Sequence, residues 1–162
     1  MPADLYMKVQ DADGESKDKE HEDWILIESV SLGIDMPVPN SPAQSGQRAS
    51  GTANFGEVTV SKTMDKSSPN LFKACCNGRP YTEDIEIDFV QPMGTSRLVY
   101  LKLRLSQCII SSYDLMSAPE GTAQESIRIN YAKIIEEYTP QEKDQPGGVL
   151  PAGWDLQKNQ EC

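Results

Sequence analysis

Apolar and polar residues alternate with a period of two along most of this chain, which predicts strands rather than helices. Leu5-Tyr6-Met7-Lys8-Val9 reads as a short strand. Trp24 to Ile34 is rich in β-formers, with Leu26, Val30 and Leu32 on one face and Ile25, Ile27, Ser29 and Ser31 on the other. That second face turns small and polar toward its end, as in a strand that leaves the core and meets water. Strand character resumes from Phe55 to Met64 through Val58, Thr59 and Val60, and again over Ile85-Glu86-Ile87-Asp88-Phe89. Arg97 to Ile110 sets Leu98, Tyr100, Lys102 and Arg104 against Val99, Leu101, Leu103 and Leu105, and Pro92 to Ser96 is the expected hairpin connection before it. Arg97, Lys102 and Arg104 read as a basic outer face. Ser126 to Tyr138 predicts one more long strand through Ile127, Ile129 and Tyr131, with Ile134 and Ile135 near its end.

The interruptions are as informative as the strands. Asp11 to Asp23 holds seven acids against two lysines and is expected to be solvated. Met36 to Ser50 carries Pro37, Pro39, Pro42 and then Ser45-Gly46-Gln47-Arg48-Ala49-Ser50, a long loop of the kind that usually serves a function. One helix is expected, with Ser68 as its N-cap, Pro69 at its first position and Asn77-Gly78 at its end. Leu71, Phe72, Cys75 and Cys76 fall on one face of it. Beyond Thr139 the prolines and glycines predict mostly coil, pinned back by Trp154 and Leu156. No repeat and no domain-splitting linker interrupts residues 1–162. The predicted fold is a single mainly-β domain, a two-sheet β-barrel or sandwich with one lateral α-helix.

Composition narrows the function. Fifteen basic residues against 25 acidic ones give a net charge of −10, a surface that repels nucleic-acid phosphates and anionic membranes alike. No segment is apolar for long enough to span a bilayer. The start, Met1-Pro2-Ala3-Asp4-Leu5-Tyr6, has neither a basic nor an apolar region of a signal peptide. The chain is therefore expected to fold in the cytoplasm and, if exported, to leave by a route that accepts folded protein. Cys75, Cys76 and Cys108 read as buried, reduced thiols and Cys162 as exposed.

The candidate catalytic sets in the sequence are incomplete. His21, the single histidine, lies in the acidic stretch and reads as a solvated loop residue. No Gly-x-Ser-x-Gly elbow accompanies it. Asp11-Ala12-Asp13-Gly14-Glu15 resembles the start of a calcium loop, but Ser16 stands where an EF-hand needs glycine. The cysteines and the histidine lack zinc spacing. Cys75 and Cys76 sit toward a helix C-terminus, where the dipole disfavours a thiolate. No cofactor and no metal site is expected, and a chain without a catalytic set points to a binding or structural protein.

Several blocks together resemble one family. These are Gly14-Glu15-Ser16-Lys17-Asp18-Lys19 followed by His21, Ser31-x-Gly33, and Ser61-Lys62-Thr63-Met64-Asp65-Lys66-Ser67-Ser68-Pro69-Asn70-Leu71. Ala74-Cys75-Cys76-Asn77-Gly78, Tyr138-Thr139-Pro140-Gln141 and Gly153-Trp154-Asp155 complete the series, the last with aspartate where asparagine is frequent. Order and spacing resemble the haemolysin-coregulated protein (Hcp) family of bacterial type VI secretion over nearly the whole chain, with the region from Met36 to Asn54 departing most. The resemblance implies a structural tube subunit without enzymatic activity. It implies hexameric rings that stack inside a sheath, leave with a spike and shelter effector proteins in the lumen. It also implies secretion by the type VI route and, since the chain ends soon after the last block, no appended toxin domain.

Within that picture Ser29, Ser31 and Gly33 are candidate lumen residues in contact with effectors. Pro42, Ser45, Gly46, Gln47, Arg48 and Ser50 are candidates for contact between subunits or stacked rings. Two other readings stand beside it, a monomeric small-ligand-binding β-barrel and a hydrolase using His21 or Cys75.

Overall fold

The computed structural model describes residues 4–38, 51–143 and 145–162. The first half of the chain gives β1 (Asp4–Lys8), β2 (Ile25–Ile27), β3 (Ser29–Ser31), β4 (Ile34–Asp35), β5 (Asn54–Phe55), β6 (Val58–Thr63) and the helix α1 (Ser68–Asn77). The long strands β7 (Ile85–Met93), β8 (Ser96–Ser106), β9 (Ile109–Met116), β10 (Gln124–Asn130) and β11 (Lys133–Tyr138) follow. The tail adds β12 (Gln141–Glu142), β13 (Gln145–Pro146), β14 (Leu150–Asp155) and β15 (Gln160–Glu161). A seven-stranded sheet has the order β15-β14-β11-β8-β7-β1-β2, and a four-stranded sheet the order β3-β6-β10-β9. Neighbours in both are antiparallel. Among the described residues each sheet keeps two unpaired edges, so the architecture is the sandwich and not the closed barrel of the two predicted forms.

Met7, Ile25, Val58, Val60, Ile85, Ile87, Leu103, Leu105, Ile127 and Ile129 form the core between the sheets. These are the inward positions of the period-two pattern, and their burial is the main favourable term in folding.

Three alternations that predict one strand each are cut in two. The breaks fall at Glu28, at Gln107 and at Tyr131-Ala132, and at each the chain passes between the large and the small sheet. The Glu28 N–H leaves β2 and donates to the Ser61 carbonyl at 2.7 Å. This break also shifts the phase: Ile25 and Ile27 are buried and Val30 is half-buried, while Leu26 is 48 % exposed. Leu26 therefore does not share an inward face with Val30 and Leu32. Gln107 turns with φ 52°, the left-handed region, which a strand cannot continue through.

A β-bulge explains the basic face. Phe89 pairs with Leu101 and Val90 with Val99, so Tyr100 is an extra residue in β8. The shift puts Arg97 on the same side as Lys102 and Arg104, which strict alternation would separate. The β7–β8 hairpin is tighter than predicted, because Pro92 and Met93 remain in β7 and only Gly94-Thr95 turn.

In α1 the N-cap is Ser67, not Ser68, and it makes no side-chain cap. Ser68 lies inside the helix, where its Oγ accepts from the Asp65 N–H and from Lys62. Gly78 closes the helix at φ 63° with its N–H on the Ala74 carbonyl. Leu71 is buried and Ala74 and Cys75 pack on the core, but Phe72 and Cys76 face outward, against the expected four-residue apolar face. The tail is more ordered than its prolines suggest: β14 pairs with β11 along six residues, and Trp154 and Leu156 pack against the core as expected. Among the described residues no helix is long and apolar enough to cross a bilayer.

The acidic stretch is solvated on one side only, and its backbone is tied down on the other. Gly14 N–H donates to Asp23 O at 2.7 Å, Ser16 N–H to Trp24 O at 3.1 Å and Asp23 N–H to Ser16 O at 3.0 Å. Ala12, Gly14 and Ser16 turn inward while the acids between them stay in water. A Cβ on Gly14 would sit 2.3 Å from Trp24 O and 2.5 Å from Ile25 Cα, both backbone atoms. Gly14→Ala is therefore expected to destabilise the fold by about 1–3 kcal/mol, as other overpacked sites do. Urea unfolding followed by tryptophan fluorescence measures this, and an unchanged midpoint would contradict the contact.

Candidate functional site: a hydroxyl-lined sheet face and two charge clusters

The outer face of the four-stranded sheet is built from the outward positions of its strands. Ser29 pairs with Ser61, Ser61 with Ser126 and Ser126 with Asp114. The next rung runs Ser31, Thr59, Arg128, Ser112. Two of the three predicted lumen residues thus lie on one surface with hydroxyl side chains from β6, β9 and β10. Gly33 follows β3 and is exposed, with nothing within 4 Å of where a Cβ would be. The predicted contact residues Pro42, Ser45, Gly46, Gln47, Arg48 and Ser50 lie outside the described residues.

Large apolar side chains stand exposed around this sheet. Leu115 and Met116 are on the edge strand β9. Ile34, Met36 and Val38 follow the opposite edge strand β3. A cleft of about 520 Å³ opens beside them, lined by Leu32, Ile34, Met36, Phe55, Ile134 and Trp154.

His21 is buried, a correction to its solvated reading. Its ring lies flat on Tyr6, with centroids 4.4 Å apart, and meets Trp24 edge-on. Nδ1 contacts an Asp18 oxygen at 2.9 Å and Nε2 an Asp88 oxygen at 2.8 Å. Carboxylates only accept, so the doubly protonated ring satisfies both contacts together. Arg97 donates to Asp18 at 2.7 Å and to Asp4, and its guanidinium lies 5.8 Å from the Tyr6 ring centroid. Burial pushes the Asp18 carboxyl up, but the hydrogen bonds from His21 and the Glu20 N–H, with the charges of Arg97 and His21, outweigh it and hold it below its ordinary value.

The second cluster lies under α1. Lys62 is fully buried, with Nζ 2.6 Å from Glu125, 3.1 Å from Asp65 and 3.2 Å from Ser68 Oγ. The Tyr113 hydroxyl donates to the other Glu125 oxygen, and burial followed by that bond pushes the phenol well up.

Neither cluster is a nucleophile with its base. No hydroxyl or thiol bonds to either His21 nitrogen among the described residues, and Cys75 packs on the core, on the other side of the large sheet. Cys108 is buried as expected, and burial pushes its thiol up to about 12, while Cys76 is exposed rather than buried. A thiol so raised stays protonated and inert.

Residues 6–138 match the family described as type VI secretion system effector, Hcp. The chain is 31 % identical to Protein hcp1 of Pseudomonas aeruginosa over 98 % of both chains. It is similar to a solved type six secretion system protein, with TM-score 0.89 and 28 % identity over 99 % of this chain and all of that one. It is similar also to Hcp1 from Salmonella typhimurium, with TM-score 0.82 and 25 % identity over the full length of both. The matched span runs from within β1 to the end of β11 and takes in the four-stranded sheet, five of the seven strands of the large sheet, the helix, His21 and Lys62: this chain belongs to the Hcp family of type VI secretion.

Proposed function

We propose that this chain is the structural tube subunit of a type VI secretion machine, closing into hexameric rings whose wall is the four-stranded sheet. The observation that carries this is a sheet with a hydroxyl outer face and two open edges, flanked by exposed apolar side chains. An even number of antiparallel strands leaves β3 and β9 running in opposite directions. Copies meeting β9 to β3 therefore pair antiparallel, and a closed ring removes the free edges that otherwise invite uncontrolled pairing. Leu115 and Met116 of one copy and the Ile34–Val38 segment of the next then lose their exposure to water.

In this reading the hydroxyl face lines the lumen, and Ser29, Ser31 and Gly33 contact effectors carried there. Hydroxyls give short-lived hydrogen bonds that water can replace, which suits cargo that must later be released. The segment holding Pro42, Ser45, Gly46, Gln47, Arg48 and Ser50 stays assigned to contacts between subunits or stacked rings. Sheath and spike proteins are the remaining partners, and the subunit leaves the cell with the tube.

Native mass spectrometry is expected to show six copies of the chain, and a lone 17.9 kDa species at every concentration would sink the proposal. Ser31→Gln is expected to keep the ring and change effector retention. Loss of the ring in that variant would mean that β3 is not on the lumen wall.

A further inference from the structure

A closed wall of antiparallel strands is not assembled with its rungs level, because barrel strands tilt by about 35–45° and their register staggers to match. Four strands about 4.8 Å apart span about 19 Å, so at that tilt each copy is displaced along the strand by about four to six residues relative to the next. The rung of Leu115 on β9 passes through Glu125 and Lys62 and, since Ser29 pairs with Ser61, ends beside Glu28. A stagger of about four to six residues in one direction carries Leu115 to Leu32 or Ile34 of the next copy. In the other it leads to Glu22–Trp24, where the Asp23 and Trp24 carbonyls already hold the Gly14 and Ser16 N–H groups. The first direction is the open one, and the chain there is built as a strand edge. Gly33 and Pro37 turn their carbonyls to the Gly56 N–H at 2.9 Å and the Gly51 N–H at 3.2 Å. Extended backbone alternates its hydrogen-bonding side, so Ile34 and Met36 present N–H and C=O outward, and the N–H that Pro37 lacks falls on the inner side.

We infer that the apolar cleft is the docking socket between copies, filled by Phe72 and Leu115 of one copy while β9 of that copy pairs with the Gly33–Val38 segment of the next. This rests on the ring reading and adds to it the residues that carry the contact. Ile34 and Met36 line the cleft of about 520 Å³ with Leu32, Phe55, Ile134 and Trp154, yet both stay about half exposed. On the other partner, Tyr113 and Leu115 share the core side of β9 with Ile127 and Glu125 opposite them. α1 lies over that side, where Phe72 meets Tyr113 edge-on with centroids 5.8 Å apart. Phe72 and Leu115 are each more than half exposed on their own chain. Level rungs would hold them away from the cleft, and the stagger brings them to its mouth. Charge chooses between the two staggers. With Leu115 opposite Leu32, Asp35 falls opposite Ser112; two residues further on it would oppose Asp114, and like charges directly opposite destabilise a strand pair. The shorter stagger also puts Gly33 opposite Asp114 on the hydroxyl face. An aromatic anchor in a preformed apolar pocket is where the energy of a contact concentrates.

Disulfide trapping tests the register. Gly33→Cys combined with Asp114→Cys, in a full-length chain whose exposed Cys76 and Cys162 are serine, is oxidised with copper phenanthroline and run on a non-reducing denaturing gel. Directly opposite strand residues lie within disulfide reach, so a ladder ending at six copies is expected. Gly33 has nothing within 4 Å of where a Cβ would be, so the new side chain is accommodated. Ser29→Cys with Asp114→Cys, the pair that level rungs would join, should give no ladder. Phe72→Ser tests the socket. It should raise the chain concentration at which half the rings form by roughly tenfold or more, as loss of a central aromatic anchor implies, with the circular dichroism of the chain unchanged. A ladder from the Ser29 pair, no ladder from the Gly33 pair, or ring formation by Phe72→Ser at the wild-type concentration would overturn the assignment. Native mass of the wild type separates the two failures: an intact ring of six without the Gly33 ladder refutes the socket alone, and a lone chain refutes the ring.

Discussion

Lys62→Ala is expected to destabilise the folded chain by about 3–5 kcal/mol, the cost of leaving one partner of a buried ion pair uncompensated. Lys62 and Glu125 are both fully inaccessible, so water cannot replace the ammonium. The loss spreads beyond the pair. Ser68 Oγ and Asp65 lose a donor at the start of α1, and the Tyr113 hydroxyl stays bonded to a carboxylate that no longer has a counter-charge. Urea unfolding at fixed chain concentration measures the effect, since assembly and stability are linked. A midpoint within about 0.5 kcal/mol of wild type would contradict the geometry, as only surface changes are that mild. The double change Lys62→Met with Glu125→Leu discriminates further. Much of the stability should return, because replacing both buried ions by apolar groups is often neutral. The same pair ties the helix to β6 and β10, so Lys62→Ala should also loosen α1 against the wall.

How far this could be read from residue order depends on which contacts are local. Ser29 and Ser31 alternate with Val30, so their outward direction is legible from three consecutive residues. Thr59, Ser61, Ser112, Ser126 and Arg128 point the same way, yet they join that surface only through the order β3-β6-β10-β9, and no periodicity encodes strand order. The break at Glu28 hides for a similar reason. A strand that changes sheets keeps its β-forming composition, and what ends β2 is a hydrogen bond to Ser61, 33 residues away. In the tail, Pro151 and Gly153 read as breakers, but β14 is held by its pairing with β11 and by Trp154 packing on the core. Lys62 alternates in phase with Val58 and Val60, a signal of burial that its charge masks until Glu125 is seen opposite. His21 is the clearest miss. Its neighbours in sequence are acids and lysines, while the groups that bury it, Tyr6 and Asp88, come from β1 and β7.

His21→Ala is expected to cost about 3–5 kcal/mol and to free the segment from Asp11 to Asp23. Asp88 is 3 % exposed, one of its oxygens already lacks a partner, and the other is held by His21. Removing the ring leaves that carboxylate buried and alone, uncovers Tyr6 and takes a hydrogen bond from Asp18. Trypsin reads the result directly, because Lys17 and Lys19 lie inside the clasped segment. Cleavage there should become fast in the variant while the rest of the chain survives, and wild-type resistance would show that the backbone bonds of Gly14, Ser16 and Asp23 hold the segment unaided. Acid supplies a second reading. The folded-state value of Asp18 lies below the ordinary 3.8, so its carboxylate stabilises the fold above that pH, and the contribution is lost as pH falls from 3.8 through the folded value. Wild-type resistance to trypsin's acid-active counterparts should therefore persist from neutrality to about pH 4 and decline below it. In His21→Ala the strongest hydrogen bond that depresses Asp18 is gone, though the Glu20 N–H and Arg97 remain, and the segment should be open across that whole range.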